Sequence, residues 1–485
     1  MPLSPYAPAA DLARALSRRE VSSRELTEAA IARIEALDGP INAICVKTYE
    51  RARAAAKAAD ERLAKGETGP LIGVPMTIKE SYNLTGAPTT WGFPAARDFR
   101  PTEDALAVSR VEQAGAVILG KTNVPVGLGD WQSYNEIYGV TNNPYDLNRT
   151  PGGSSGGSSA ALAAGFGALS MGSDIGGSLR APAHFCGVFA HKPTYDLVPP
   201  RGHLPPGVPA LPGTADLSVI GPMARSAEDL ETLLDVMAGP DNLDTGVGYR
   251  LDLPPPRARE ISGFRLLVLD RHPLADTDAS VAGALETLAG GLEKAGANIA
   301  RRSDLLPDLD AGARIFVALL SAAMAARVPD EAYARMAEAA ARVPADDRSL
   351  GAELARGAAL SHRAWSQFDA RRKSVRAQWR ALFRDFDAVI APVTPTPAFP
   401  HDHEPEQRKR RLLINGRPHD YFANVLWAGL ATMPGLPATA LPIGRSREGL
   451  PIGAQIIGPW LEDRTPLTLA RLIEREFGGF TPPKL

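Results

Sequence analysis

Residues 152–194 read GGSSGGSSAALAAGFGALSMGSDIGGSLRAPAHFCGVFAHKPT. Gly/Ser loops alternate there with short blocks of small apolar residues. Gly152-Gly153-Ser154-Ser155-Gly156-Gly157 leads into a small-residue helix over Ser158–Ala164, which Gly165 stops. Phe166–Met171 then reads as a short strand, and Ser173-Asp174-Ile175-Gly176-Gly177-Ser178 as a tight turn into another helix. A strand bracketed by helices within so short a span predicts an α/β fold.

The flanking sequence extends that pattern. Upstream, Asn142–Pro151 is a polar, turn-rich loop, and a helix over Asp104–Ala114 feeds a strand over Ala116–Leu119. Leu71–Lys79 reads as another strand. Ile72, Val74, Met76 and Ile78 share one face, which turns Lys79 to the other face at the strand's end. Pro75 predicts an edge or terminal piece of sheet. The N-terminal part is helical over Asp11–Ser17, Ser23–Leu37 and Tyr49–Lys65, with Ser22 or Ser23 as a cap and Gly39-Pro40 as a stop. Downstream, Pro199–Pro212 is loop. Phe264–Leu269, Ala388–Val393, Ala438–Ile443 and Ala454–Ile457 read as strands; Val281–Ala295, Ala311–Ala341, His362–Phe383 and Leu467–Glu474 read as helices. Asp241–Pro256 is a surface loop rather than a linker. The expectation is an α/β fold, a single large domain with a mixed, mostly central β-sheet flanked by helices on both faces.

Composition narrows the class. The 485 residues are 44% hydrophobic and 22% charged, the balance of a soluble globular chain long enough to need no disulfide or metal staple. A net charge of −2 gives no pull towards nucleic acid or an anionic membrane surface. No apolar run reaches the roughly 18 residues that span a bilayer, and Met1–Asp11 lacks the basic and apolar regions of a signal peptide. Cys45 and Cys186, far apart, suit a reducing cytoplasm.

Three motif readings compete. Gly115–Thr122 (GAVILGKT) matches the phosphate-loop pattern letter for letter. That loop needs an uninterrupted helix after its lysine, and Pro125 and Gly127 obstruct one; a strand with a turn is the plain reading. Gly152-Gly153-Ser154-Ser155-Gly156 fits a nucleophile elbow, but no apolar strand precedes it and no histidine is marked as its base, His401 and His403 included. A Gly/Ser-rich loop without chemistry is the bland alternative. The third reading joins two serine loops and a lysine. Ser178 lies where a glycine pair meets a helix start, so the N–H groups of Ile175, Gly176, Gly177 and Ser178 can converge on an oxyanion. Lys79 is a useful base only if burial keeps it neutral, and Glu80 next door would oppose this if it faced the amine.

At this point a family resemblance emerges. Gly152–Thr194, the lysine motif Gly73-Val74-Pro75-x-x-Ile78-Lys79 and Gly120-Lys121-Thr122-Asn123 resemble the amidase signature family of serine hydrolases, bacterial amidases among them. The likeness is strong over Leu71–Thr194 and weaker over the N-terminal helices and Asp387–Pro397. It implies a single domain over 1–485, with an N-terminal helical segment (1–65), a signature core (71–240) and a remainder carrying pocket insertions (260–485). It implies catalysis by Lys79, Ser154 and Ser178, with a cis Gly153–Ser154 bond and an oxyanion hole at Ile175–Ser178. Ser155 matches a residue that bonds the lysine region, Asp174 and Arg180 a structural pair, and Leu128 a residue whose backbone meets the substrate.

The resemblance further implies an acyl-enzyme amidase acting on a linear amide, carbamate or ester of a small molecule, without cofactor or metal. His184, His191 and Cys186 lie close in sequence, but core packing is the expected role for them. Gly129, Asp130, Trp131 and Tyr134 precede the serine loop as candidate pocket lining, although Trp131 and Tyr134 read equally well as core. Ser173 stands where threonine is frequent, and Val126 where a polar residue is common. The alternative function is the glutamine-hydrolysing subunit of a tRNA-dependent amidotransferase, which Tyr195-Asp196-Leu197-Val198-Pro199 does not closely resemble. No nucleic-acid or membrane partner is expected, and a homodimer is only a family-level expectation.

Overall fold

The computed structural model describes residues 4–243, 248–326 and 328–485. Part of the loop expected over Asp241–Pro256 therefore lies outside the described residues. Among the described residues, fifteen strands run in chain order as β1 (Ile44–Lys47), β2 (Pro75–Lys79), β3 (Val117–Thr122), β4 (Tyr134–Asn135), β5 (Gly139–Val140), β6 (Leu169–Asp174), β7 (Phe189–Lys192), β8 (Val219–Ala224), β9 (Arg265–Val268), β10 (Asn298–Ala300), β11 (Ala388–Pro392), β12 (Arg411–Ile414), β13 (Arg417–Asp420), β14 (Ala438–Arg445) and β15 (Pro451–Ile457). The helices are α1 (Ala9–Ser17), α2 (Ser23–Ile41), α3 (Tyr49–Ala64), α4 (Leu106–Gln113), α5 (Gly156–Ala164), α6 (Arg180–Cys186), α7 (Ala227–Met237), α8 (Ala279–Lys294), α9 (Leu309–Ala325), α10 (Asp330–Ala341), α11 (Leu350–Ala358), α12 (His362–Asp385), α13 (Asn424–Thr432) and α14 (Arg464–Phe477).

Eleven strands form one sheet in the order β1-β3-β2-β6-β8-β7-β14-β15-β11-β9-β10. It is mixed: β2 pairs in parallel with β3 and β6, and β9 with β10 and β11, while the strands between are antiparallel. Alternation along the strands puts neighbouring residues into different apolar clusters. Leu266, Val268, Ala388 and Ile390 belong to one apolar cluster, and their neighbours Leu267, Val389 and Ala391 to another. Helices cover both faces, so the chain has the expected α/β architecture. No helix among the described residues is long and apolar enough to cross a membrane.

Three local expectations are corrected. β2 lies inside the sheet rather than at its edge; Pro75 is tolerated because it is the strand's first residue. α2 does not stop at Gly39-Pro40 but runs to Ile41, closing on Asn42, whose left-handed backbone (φ 56°) puts its N–H on the Asp38 carbonyl. Ser22 caps this helix in a reciprocal box with Glu25. The single helix read over Ala311–Ala341 is two, α9 and α10, with Pro329 capping the second.

Candidate active site

Lys79 ends β2 beside β6, so two parallel strands deliver their carboxyl ends to one place. Its Nζ donates to Ser154 Oγ at 2.7 Å and to Ser173 Oγ at 2.9 Å. The side chain is fully buried, and burial drives the amine's pKa well below its ordinary value; Asp174 pulls upward without outweighing it. Glu80 does not face the amine. Its carboxylate accepts the Thr90 and Trp91 N–H groups at 2.5 and 3.0 Å and the Tyr138 hydroxyl at 3.2 Å.

Ser154 precedes α5, every residue of which is buried. The Gly153–Ser154 peptide is cis. Glycine is required at 153, because a Cβ there would sit 2.3 Å from the Asp130 carbonyl oxygen. Ser155 reaches the lysine region through Ser173: its Oγ accepts the Ser173 N–H and donates to the Ser173 carbonyl, both at 3.3 Å. Ser173, read from sequence only as a mild departure, is thus a direct partner of the amine.

β6 ends at Asp174, which organises the turn carrying Ser178. Its carboxylate accepts two bonds from Arg180, at 3.0 and 2.9 Å, and the N–H groups of Gly177 and Leu179 at 2.9 and 3.2 Å. Burial pushes this carboxyl upward, but Arg180, Lys192 and the Gly177 N–H together outweigh it and the pKa is lowered. Of the four N–H donors expected to converge, one is therefore engaged elsewhere. Gly177 gives its N–H to Asp174, leaving those of Ile175, Gly176 and Ser178 without a hydrogen-bond partner among the described residues. Trp131 fixes the orientation of this turn by donating Nε1–H to the Gly176 carbonyl at 3.0 Å.

Ser154, Ser173, Ile175, Ser178, Leu128 and Gly129 line one cavity of about 820 Å³. Ser154 and Ser178 are not hydrogen-bonded through their hydroxyls; the Ser155 N–H, donating to the Ser178 carbonyl at 3.2 Å, links the two loops. Of the other residues read as pocket lining, Asp130, Trp131 and Tyr134 do not line it. Asp130 is drawn into the interior by Arg410 (2.6 Å) and the Tyr421 hydroxyl (2.6 Å), Trp131 is core, and Tyr134 accepts from Arg410 and stacks on His403. The remaining wall comes from distant segments: Trp91 and Phe93, His203 and Asp216, and Met324, Tyr333, Met336 and Trp365 on α9–α12. Sequence offered no signal for these beyond the Pro/Gly-rich loop that carries His203, which bonds Ser81 Oγ at 2.8 Å.

The competing motifs resolve structurally. Gly120-Lys121-Thr122 lies in a fully buried strand, with Lys121 Nζ on the Pro88 carbonyl and Thr89 Oγ1. The ring nitrogens of His184 face Gly453 and Thr396, those of His191 face Thr439 and Asp463, and the Cys186 thiol donates to the Pro151 carbonyl. A larger cleft of about 1100 Å³, lined in part by Arg149, His401 and Arg445, contains none of the candidate catalytic residues.

A family model described as Amidase matches residues 25–467. The chain is 34% identical to a subunit of the glutamyl-tRNA(Gln) amidotransferase of Anaeromyxobacter dehalogenans (strain 2CP-C), over 96% of each chain. It is 32% identical to a fatty-acid amide hydrolase 2-A of Danio rerio, over 98% of this chain and 89% of that one. A solved structure described as a vestigial protein complex bearing on the origins of an s-triazine catabolic enzyme superposes with a TM-score of 0.81 at 31% identity, covering 99% of this chain and all of that one.

Proposed function

The chain belongs to the amidase family, and from that premise we propose that it is an amide hydrolase in which Ser178 is the nucleophile, Ser154 the bridge and Lys79 the base. Neutral Lys79 takes the Ser154 proton as Ser154 takes that of Ser178, and a bond forms from Ser178 Oγ to the substrate carbonyl carbon. The carbonyl oxygen becomes an oxyanion against the N–H groups of Ile175, Gly176 and Ser178. The relay returns the proton to the leaving nitrogen as the C–N bond breaks. Water, deprotonated by the same relay, then releases the carboxylic acid and restores Ser178. The scheme uses no cofactor, and the two free cysteines fit a cytoplasmic setting.

The observation that carries this reading is the 2.7 Å bond from the buried Lys79 amine to Ser154, which lines the same cavity as Ser178. Treating the protein with a fluorophosphonate and mapping the adduct is expected to find Ser178; an adduct confined to another serine overturns the assignment.

Two readings of the substrate remain, each with its own support. The relatives named as glutamyl-tRNA(Gln) amidotransferase subunits back a glutamine-hydrolysing role within a complex better than they back a stand-alone amidase, despite the divergent residues after Thr194. On that reading the chain releases ammonia from glutamine only when its partners are bound. The apolar cavity wall and the fatty-acid amide hydrolase relative support stand-alone hydrolysis of a small linear amide, carbamate or ester. Turnover of a chromogenic anilide by the purified chain favours the second; silence on anilides with firm binding of partner chains favours the first.

A further inference from the structure

Resting on the reading of Ser178 as the nucleophile of an amide hydrolase, we infer that the substrate carries an extended alkyl or aromatic group, selected by Trp91 and by the face that α10 turns to the cavity. The first ground is the charge of the wall. Among the described lining residues the only acidic side chain is that of Asp216, and its Oδ1 accepts Arg372 at 2.5 Å. A zwitterionic amino-acid amide brings a carboxylate that needs a cation or several donors, and no lysine or arginine is among those described residues.

The second ground is unfinished burial. Phe93, Val126, Met324 and Tyr333 all line the cavity, yet remain 37%, 43%, 43% and 41% exposed. Large apolar side chains left open around one concavity mark a place where apolar surface is to be covered. α10 sharpens the point. None of its 12 residues is buried, and it presents Tyr333 and Met336 to the cavity. An apolar group seated beside Ser178 completes the packing that the protein leaves open there, and Met324 and Met336 can adjust to its shape.

The third ground is that part of the wall is pre-formed. Trp91 holds a left-handed backbone (φ 53°). Its N–H donates to Glu80 at 3.0 Å, its indole N–H to the Ser81 carbonyl at 3.1 Å, and its carbonyl accepts Gly127 N–H at 2.8 Å. The residues immediately after Lys79 therefore fix the ring, so stacking an apolar group on it carries little ordering cost.

The test is a chain-length series on the intact protein. Alkyl fluorophosphonates and acyl p-nitroanilides with chains of two to ten carbons are expected to show Ser178 labelling rates and kcat/KM rising by about fourfold per methylene over the first several carbons, since burying one CH₂ is worth about 0.8 kcal/mol. Trp91→Ala and Tyr333→Ser are expected to flatten that slope. A flat or falling series with Ser178 still labelled, or protection by glutamine exceeding that by a decanoyl anilide, overturns this inference and leaves the hydrolase reading standing. Labelling confined to another serine at every chain length overturns that reading as well.

Discussion

The Lys79 amine has two hydroxyls for partners and, among the described residues, no ion pair. Its pKa is lowered in the fold and ordinary in the unfolded chain, so across the window between those values the unfolded state binds the extra proton. Stability therefore rises with pH through that window, and the neutral amine that the proposed mechanism needs is lost as pH falls through the folded-state value. Lys79→Met is expected to lower kcat/KM by about 10²–10⁴-fold while raising the melting temperature at neutral pH; a lowered melting temperature would contradict the burial argument. Lys79→Arg, which stays charged, is expected to lose activity at every pH. Ser173→Ala removes one of the two acceptors and is expected to cut kcat about fivefold, with Ser173→Thr restoring it. The three proposed catalytic residues were legible because their loops have distinctive glycine and serine spacing. The roles of Ser173 and Asp130 were not, because a short hydroxyl or carboxylate takes its meaning from whichever distant side chain reaches it, here Lys79 and Arg410.

Elements hold these residues through contacts that leave little slack. Asp174 and Arg180 have fully buried side chains, so removing one leaves an uncompensated charge. Arg180→Met is expected to cost about 3–5 kcal/mol in denaturant-unfolding experiments. A milder loss would mean that the turn finds another partner for Asp174. α5 packs so tightly on the end of β3 that a Cβ on Gly157 would lie 2.4 Å from the Asn123 nitrogen. Gly157→Ala is expected to cost about 1–3 kcal/mol and to slow labelling of Ser178 by moving Ser154. At this scale strands and helices were mostly readable from apolar periodicity, while their ends were not. Pro40 lies within a helix because Asn42 closes the turn behind it, and Pro329 splits what periodicity alone presents as one helix.

At the scale of the molecule, one sheet of eleven strands with a core on each face ties the N-terminal helices to the last strands. We expect a single unfolding transition, with far-ultraviolet circular dichroism and tryptophan fluorescence superimposing; two resolved transitions would argue for separable domains. Glu474 adds a pH dependence to that transition. Burial raises its pKa from 4.5 to about 7, against the Ala227 N–H it accepts, so the folded state retains a proton that the unfolded chain gives up. Its contribution to stability declines as pH climbs from 4.5 to about 7, and Glu474→Gln is expected to flatten that part of the profile. The α/β class was visible in the alternation of strands and helices, whereas the strand order was not. β14 and β15 enter between β7 and β11, a pairing across more than two hundred positions that local periodicity does not encode.

Arg180 also reaches Ala428, Thr432 and Gln455, the last of these 275 positions further along the chain. During translation the turn carrying Ser178 is made first, and the Arg180 guanidinium waits for partners synthesised up to 275 positions later. A nascent or truncated polypeptide that stops short of Gln455 thus lacks an anchor of the turn that carries the proposed nucleophile, and that turn is fully held only once this residue has been made.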